Sequence, residues 1–300
     1  MSRFPSKHQL LKQKGGIVYA LLLAGFIGAA LLAPVIAPHN PYDLETLDIM
    51  DSSLPPRWIE SGDARFILGT DDQGRDILST MLYGLRISLI IGIAAVCLQM
   101  VLGVLIGLCA GYFGGRLDAF FMRVADIQLS FSTLMVAIIA LAICQAGLGA
   151  ASYQQAVVPM LICVIGIAEW PQYARTMRVC TLAERKKDYI SAARSLGTPT
   201  TRILFGHILP NTFSPILVIS TLQIANAIVA EAALSFLGLG MPPSQPSLGS
   251  LIRSGFEYVI SGSAWWITTF PAVLLIILIL TINLLGDCLR DALDPRQEDA

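Results

Sequence analysis

The sequence contains little charge. Only 14% of its 300 residues are Asp, Glu, Lys or Arg, whereas charged residues make up about a quarter of an average soluble protein. Hydrophobic residues account for 55%, and the mean hydropathy is +0.67. This composition excludes an ordinary soluble domain and indicates an integral membrane protein. The net charge of −1 gives no reason to expect a nucleic-acid partner.

Residues that commonly support catalysis or bind metals are also scarce. The three histidines, His8, His39 and His207, fall in tails or at the edges of apolar segments, and no Ser/His/Asp set is evident. The six cysteines lack the spacing of metal ligands, so we interpret them as small buried hydrophobic side chains. We therefore assign no catalytic residue, no metal site and no cofactor.

The sequence has no phosphate-binding loop of the form G-x-x-x-x-G-K-[ST]. A chain without this loop does not hold ATP by that means. If ATP drives the function of this protein, the energy has to come from a partner subunit.

Long apolar runs predict six membrane spans. The first, 17–37, follows a basic stretch without acidic residues, which places the N-terminus in the cytoplasm. A cleaved signal peptide is the alternative, but its apolar core would have only roughly 7 to 15 residues. We therefore favour an uncleaved anchor. The other spans are predicted at 87–111, 122–148, 156–171, 212–238 and 265–286.

The predicted fold class is all-α, with six transmembrane helices and both termini in the cytoplasm. Fifteen of the 20 lysines and arginines lie on the cytoplasmic side of this topology, as the positive-inside rule requires. The organisation is a tail with the first anchor at 1–37, an extracytoplasmic segment with an amphipathic helix at 38–84, a five-helix core at 85–287 with a cytoplasmic loop at 173–211, and a cytoplasmic tail at 288–300.

Two local patterns predict structural detail. Thr70, followed three residues later by Gln73, matches a capping box, so we expect a helix to begin there and run along the membrane face. The nearby aspartates do not have the order of a calcium loop. In the second span, Gly103 and Gly107 form a small-xxx-small face that favours close helix packing.

Ionisable residues inside spans are functional candidates by default. Glu231 lies in the fifth predicted span, with Asn226 five residues before it. One interpretation is that they line a substrate path, where a carboxylate would suit the amino terminus of a peptide. The other is that Glu231 makes a structural hydrogen bond to a neighbouring helix. Gln99 and Asn283 fit the structural interpretation.

The most distinctive stretch is polar and basic and spans 188–211, which we name the knob. Residues 191–196 predict a short helix, and Gly197 permits a sharp turn because it lacks a Cβ atom. Pro199 suits the first turn of a second short helix. Pro210 then predicts a break before the chain returns to the membrane.

The order of residues in the knob resembles the coupling loop of permease subunits of ABC importers, which docks into a cleft on a cytoplasmic ATPase. The family usually has Glu where this sequence has Ser191. An ordinary helix-turn-helix connection is the alternative. The resemblance implies that the following residues couple the chain to the ATPase: Ser191, Ala192, Ala193, Gly197, Ile208 and Pro210.

Motifs outside the knob narrow the resemblance. Residues 69–76 are similar to the segment before the second span of peptide and nickel permeases, and 236–243 and 283–295 are similar to the C-terminal third of the same group. The sequence is therefore identified as a member of the dipeptide, oligopeptide and nickel branch, of the C type. It departs from the branch at 247–249, where Ser-Leu-Gly replaces the usual Glu-Trp-Gly.

The resemblance implies the type I permease fold, a multi-pass position in the bacterial inner (plasma) membrane, and import driven by ATP. The implied partners are a second homologous permease subunit in a heterodimer, two cytoplasmic ATP-binding subunits, an extracytoplasmic substrate-binding protein and membrane lipid. Dipeptides or oligopeptides are the first expected substrates, and nickel or a metal chelate is the alternative. From other classes, Glu231 and Asp126 leave an ion-coupled secondary transporter open, and a scaffold subunit is also open.

Overall fold

The computed structural model describes residues 7–43, 48–148 and 150–293. The outermost parts of both predicted tails, including Asp294 and Pro295 of the last motif, lie outside the described residues, as does Glu45 of the extracytoplasmic segment. Within the described ranges the regular structure is helical, apart from one isolated bridge between Thr70 and Asp76. The all-α prediction is thereby confirmed.

The helices are numbered in chain order. They are α1 (Lys7–Leu31), α2 (Ala33–Ile36), α3 (Ile77–Phe113), α4 (Gly115–Leu129), α5 (Thr133–Leu148), α6 (Ala150–Glu184), α7 (Asp188–Ser195), α8 (Thr200–Arg202), α9 (Leu209–Asn211), α10 (Phe213–Phe236), α11 (Leu248–Ser261) and α12 (Trp266–Leu293). A 3₁₀ turn at Ile49–Asp51 and a π-helical turn at Ile203–Ile208 complete the regular structure of the described part.

Four helices are long and apolar enough to cross a membrane: α3, most of α6, α10 and α12. The pair α4 and α5 passes the same test together, although its two helices meet at 87°. A shorter apolar helix covers Gly15–Leu31 of α1. These elements lie where the sequence predicts the six spans, while their number and direction across a membrane stay predictions.

The third predicted span, 122–148, is divided between two helices, α4 and α5. The chain bends by 87° between α4 and α5. Polar contacts hold this corner against α6, because the Gln128 amide donates to the carbonyls of Ile167 at 2.5 Å and Ala168 at 2.8 Å. The α4 arm carries Arg116, Asp118, Arg123 and Asp126, whereas α5 is apolar, but this difference in hydropathy does not give the angle between the two helices.

The helix of the fourth predicted span does not end at about Pro171. α6 continues through Pro159 and Pro171 as far as Glu184. Proline removes one backbone hydrogen bond from a helix, but helices packed against neighbours tolerate it. The neighbour here is α3, which lies along α6 in the same direction.

A glycine face makes this close packing with α3 feasible. A Cβ atom on Gly103 would lie 2.4 Å from the Cβ of Tyr173, and one on Gly107 would lie 2.4 Å from the carbonyl oxygen of Ala174. Both separations are too short for any side chain, so the backbones touch only because these residues are glycine. The predicted small-residue face is confirmed.

The capping prediction at Thr70 is wrong. The Thr70 hydroxyl accepts a hydrogen bond from the Leu54 amide at 2.8 Å and donates to the Asp51 carbonyl at 2.5 Å, so it closes a loop. The helix begins instead at Ile77, where the carboxylate of Asp76 accepts from the Ser79 amide at 2.8 Å. From there α3 continues unbroken to Phe113.

The six cysteines are free thiols, and none of them is fully buried. Cys97 and Cys163 are exposed, which contradicts their interpretation as buried hydrophobic side chains. Both lie on long apolar helices, where a weakly polar thiol is compatible with a lipid-facing surface.

The helix directions define two ends of the bundle. α3 and α6 are parallel, since Gln99 contacts Ile165 near their middle and Gly111 contacts Arg185 near their C-terminal ends. α10 runs the opposite way, because its Glu231 contacts Ser88 of α3. The knob lies at the C-terminal ends of α3 and α6, which we name the knob end. α11 lies at the other end, which we name the α11 end.

Candidate coupling surface and translocation path

The first half of the knob is α7 with its C-terminal cap. The Gly197 amide donates to the Arg194 carbonyl at 3.0 Å and the Thr198 amide donates to the Ala193 carbonyl at 3.1 Å, which is the Schellman pattern. Gly197 has a φ of +72°, and a Cβ atom there would meet nothing within 4 Å. Glycine is therefore needed for the backbone conformation and not for space.

The second half of the knob is a helical run from α8 to α9. It begins after Pro199 and passes through the π-helical turn, so a second short helix is confirmed at the predicted place. Pro210 sits in the first turn of α9, and the chain leaves the helical conformation at Thr212, whose φ is −112°. α10 then starts at Phe213.

Burial divides the six predicted coupling residues into two groups. Ile208 is fully buried and packs with Ile190, Ile203 and Leu204 on the underside of the knob. Ala193 is half-buried, whereas the following residues are exposed: Ser191, Ala192, Gly197 and Pro210. Ile208 is thus an anchor, and the remaining residues belong to the free surface of the knob.

Two exposed apolar residues extend this free surface. The side chain of Leu196 is 85% exposed, and Phe205 is 51% exposed. Both side chains leave apolar area uncovered on the same part of the knob as the exposed coupling residues. Sequence analysis missed both, although Leu196 directly precedes the turn glycine and could have been noticed there.

Arginines attach the knob to the ends of the long helices. The guanidinium of Arg185 donates to the carbonyls of Gly111 at 2.9 Å and Tyr112 at 2.8 Å, at the end of α3. The guanidinium of Arg194 on α7 lies 4.8 Å from the centre of the Tyr112 ring, a cation–π contact. These contacts join α7, and the segment just before it, to the C-terminal end of α3.

Tyr189 links the knob to α6 and to its own second half. Its hydroxyl donates to the Glu184 carboxylate at the end of α6 and accepts from the Asn211 amide at 3.1 Å. Burial, followed by the hydrogen bond to Glu184, raises the pKa of Tyr189 above its usual value. The hydroxyl consequently stays protonated and keeps its donor role near neutral pH.

Glu231 is not on a surface. Its carboxylate is fully buried and accepts hydrogen bonds from Ser88 of α3 at 2.8 Å and from Ser235 of α10 at 2.7 Å. Of the two interpretations that the sequence left open, the geometry supports the structural one. Asp126, the other residue that suggested ion coupling, forms an ion pair of 2.6 Å with Arg175.

Asn226, in contrast, is exposed and belongs to a row of polar side chains. Its amide donates to the Gln223 side-chain oxygen at 2.9 Å, and the Gln223 amide lies 3.4 Å from Gln99 and 3.5 Å from the Glu169 carboxylate. We name Gln99, Glu169, Gln223 and Asn226 the polar strip. It crosses α3, α6 and α10 near the middle of the bundle.

Glu169 is the charged member of the polar strip, and sequence analysis missed it. Its carboxylate accepts from Thr133 at 2.5 Å and from Gln172 at 2.9 Å, and no cation pairs with it among the described residues. The side chain is half-buried. The sequence prediction placed Glu169 near the end of the fourth span, whereas α6 continues beyond it as far as Glu184. An ionisable residue within a helix that is a candidate span is a functional candidate.

A family model, curated relatives and a solved structure all resemble this chain. Residues 103–299 match the model of the family described as binding-protein-dependent transport system inner membrane component. The chain is 38% identical to the di/tripeptide transport system permease protein DppC of Pseudomonas aeruginosa over 95% of its own length and 88% of that protein. It is also 38% identical to the dipeptide transport system permease protein DppC of Escherichia coli, with 96% and 91% covered.

A solved structure shows the same fold. The MetNI methionine ABC transporter in an inward-facing conformation aligns with a TM-score of 0.56 at 18% identity, covering 73% of this chain and 98% of that one. At this identity the likeness concerns the fold alone.

Proposed function

Since this chain belongs to the family of binding-protein-dependent transport system inner membrane components, and is thus an inner-membrane permease subunit, we propose that it forms part of the path for short peptides in an ATP-driven importer. The names of its relatives favour di- and tripeptides over nickel or a metal chelate. The proposed partners are a second permease subunit, two ATP-binding subunits in the cytoplasm and an extracytoplasmic substrate-binding protein.

The knob is the proposed contact with the ATP-binding subunits. Its free surface carries small and apolar residues that would allow close approach, while Ile208 and its buried neighbours hold it to the bundle. When the ATP-binding subunits close, they would displace α7. Arg185, Arg194 and Tyr189 would pass that displacement to α3 and α6, which then tilt as rigid bodies.

The polar strip is the proposed part of the path. The single observation that carries this assignment is Glu169, a half-buried carboxylate in the middle of a long apolar helix with no cationic partner in the described part of the chain. The ammonium group of a peptide amino terminus is a suitable partner. Asn226 and Gln223 offer amide groups that can bond the peptide backbone next to it.

The test is uptake of labelled dialanine by the complete importer in proteoliposomes. ATP is supplied on the side of the membrane that carries the ATP-binding subunits. We expect ATP-dependent uptake by the parent, and a fall of about tenfold or more in Glu169→Gln, because a hydrogen bond to a charged group contributes about 1.5–3 kcal/mol. Glu60→Gln, an exposed acid far from the strip, is the control. Uptake that is driven by an ion gradient without ATP would contradict the proposal, as would full uptake by Glu169→Gln.

A further inference from the structure

A cavity of about 450 Å³ opens at the α11 end, far from the polar strip and the knob. Most of its walls come from the loop that contains Asp72, the beginning of α6, the loop between α10 and α11, and one side of α11, while Gln145 of α5 and Ser235 of α10 complete them. Small-molecule sites usually have volumes of roughly 300–1,000 Å³, so the cavity is large enough for a ligand.

Direct hydrogen bonds hold the walls in place. The Arg75 guanidinium pairs with Asp71 at 2.7 Å and donates to the Pro243 carbonyl at 2.6 Å, which joins two walls across 168 residues of sequence. The Tyr153 hydroxyl of α6 donates to the Leu239 carbonyl at 2.6 Å. The cavity is therefore formed before any ligand arrives, which reduces the free-energy cost of binding.

One wall carries a carboxylate, that of Asp72, with one oxygen that has no hydrogen-bond donor. The Oδ1 atom of Asp72 is buried and accepts no hydrogen bond within the described ranges, whereas the neighbouring Asp71 is paired with Arg75. Burial, and then the charge of Asp71, raises the pKa of Asp72 above its usual value. The Asp72 side chain lines the cavity, and the ammonium group of a ligand would give its carboxylate a donor of opposite charge.

Another wall carries a cation without a partner. Arg253 of α11 is exposed, and no ion pair to it occurs in the described part of the chain. Its guanidinium lies against Gly238, where a Cβ atom would come within 1.7 Å of Nη1. Glycine at this position therefore leaves room for the guanidinium at the side of the cavity. Glu257, one turn further along α11, is an exposed acid at the same wall.

We propose that this cavity binds a short zwitterionic peptide, with the ammonium group on Asp72 and the carboxylate on Arg253. The inference rests on the proposed function, because the ligand is the cargo proposed for the importer. A planar guanidinium binds a carboxylate through two parallel hydrogen bonds, which lysine does not offer. The site would hold the peptide at the α11 end before it reaches the polar strip.

The test measures binding of dialanine to the assembled permease and ATP-binding subunits without the binding protein, by calorimetry. N-acetyl-dialanine lacks the ammonium group, and dialanine amide lacks the carboxylate. We expect the parent to prefer dialanine over both. In the Glu169→Gln background, where the polar strip no longer offers a carboxylate to the ammonium group, Asp72→Asn should weaken dialanine about tenfold or more and abolish the preference over the acetylated peptide only. Arg253→Gln should abolish the preference over the amide only.

Matched controls come from the same extracytoplasmic segment. Glu60→Gln and Arg57→Gln change exposed charges that do not line the cavity, and we expect parental binding. If Asp72→Asn fails to assemble, Arg253→Gln still tests the inference through the comparison of dialanine with dialanine amide. Equal weakening of all three peptides in either variant, or unchanged binding in both, would overturn the inference.

Failure of this inference is distinguishable from failure of the proposed function. Uptake of dialanine by the complete importer, measured in parallel, tests the function alone. Normal ATP-dependent uptake together with no selective binding at the cavity would reject only the cavity. Absence of uptake by the parent would reject the proposed function itself.

Discussion

Replacing Gly197 by alanine tests whether the shape of the knob transmits the action of the ATP-binding subunits. The residue has a φ of +72°, and no atom lies within 4 Å of a Cβ built on it. The substitution therefore introduces no clash. Its cost is confined to the backbone, at roughly 1–2 kcal/mol for an L-residue in the left-handed region. That reduces the population of the native turn roughly 5- to 30-fold relative to alternative conformations.

Gly262 provides a matched control at the opposite end of the bundle. It has a φ of +70° and also meets nothing within 4 Å, so alanine there has the same backbone cost. Asparagine tolerates the left-handed region better than alanine, and a β-branched residue tolerates it less. We therefore expect ATP-dependent peptide uptake to be highest in the parent and in Gly262→Ala. It should then decrease in the order Gly197→Asn, Gly197→Ala, Gly197→Val.

The assay combines peptide uptake, ATP hydrolysis and size-exclusion chromatography of the complete importer. We expect Gly197→Ala to assemble in the membrane and to lose about fivefold or more of its uptake, while Gly262→Ala stays within twofold of the parent. Equal loss in Gly197→Ala and Gly262→Ala would show a general stability effect. Full uptake by Gly197→Val would refute the coupling role of the turn.

Two further predictions concern the helix bundle. Gly107→Leu should lower the melting temperature of the purified protein, because its Cβ would lie 2.4 Å from the Ala174 carbonyl and overpacking costs about 1–3 kcal/mol. Gly25→Leu is the control and should not lower it, because a Cβ there would meet nothing within 4 Å. Equal melting temperatures of the two variants would contradict the packing argument. Glu231→Leu should also lower the melting temperature, by leaving the hydroxyls of Ser88 and Ser235 without their acceptor, whereas Glu231→Gln should retain most of the stability. A change in peptide selectivity at an unchanged melting temperature would instead place Glu231 on the path.

Local patterns were enough to predict the parts of the fold that depend on neighbouring residues. The turn at Gly197 was predictable because only glycine adopts its backbone conformation without cost. The contact face of Gly103 and Gly107 was predictable because residues four apart lie on one side of a helix. Hydropathy located the apolar segments, and motif order led to the family that the relatives confirm.

Other features depended on contacts between distant segments. Gln128 holds the corner between α4 and α5 against α6, and the hydropathy of residues 122–148 does not predict the angle of that corner. The continuation of α6 past Pro171 is a second case, since its packing on α3 outweighs the local preference of proline to end a helix. For that reason Glu169, predicted near the end of a span, lies instead within a continuous helix and belongs to the polar strip.

The sequence by itself determined the class of protein, the approximate positions of its apolar helices and the local shape of the knob, because composition, hydropathy and glycine turns act over a few residues. Only the tertiary structure decided which polar groups are fully buried in hydrogen bonds, as Glu231 is, and which carboxylates have no ion-pair partner among the described residues, as Glu169 and Asp72 do not. The physical reason is that a side chain's partners come from helices far away in sequence, and its chemistry depends on whether those partners are present.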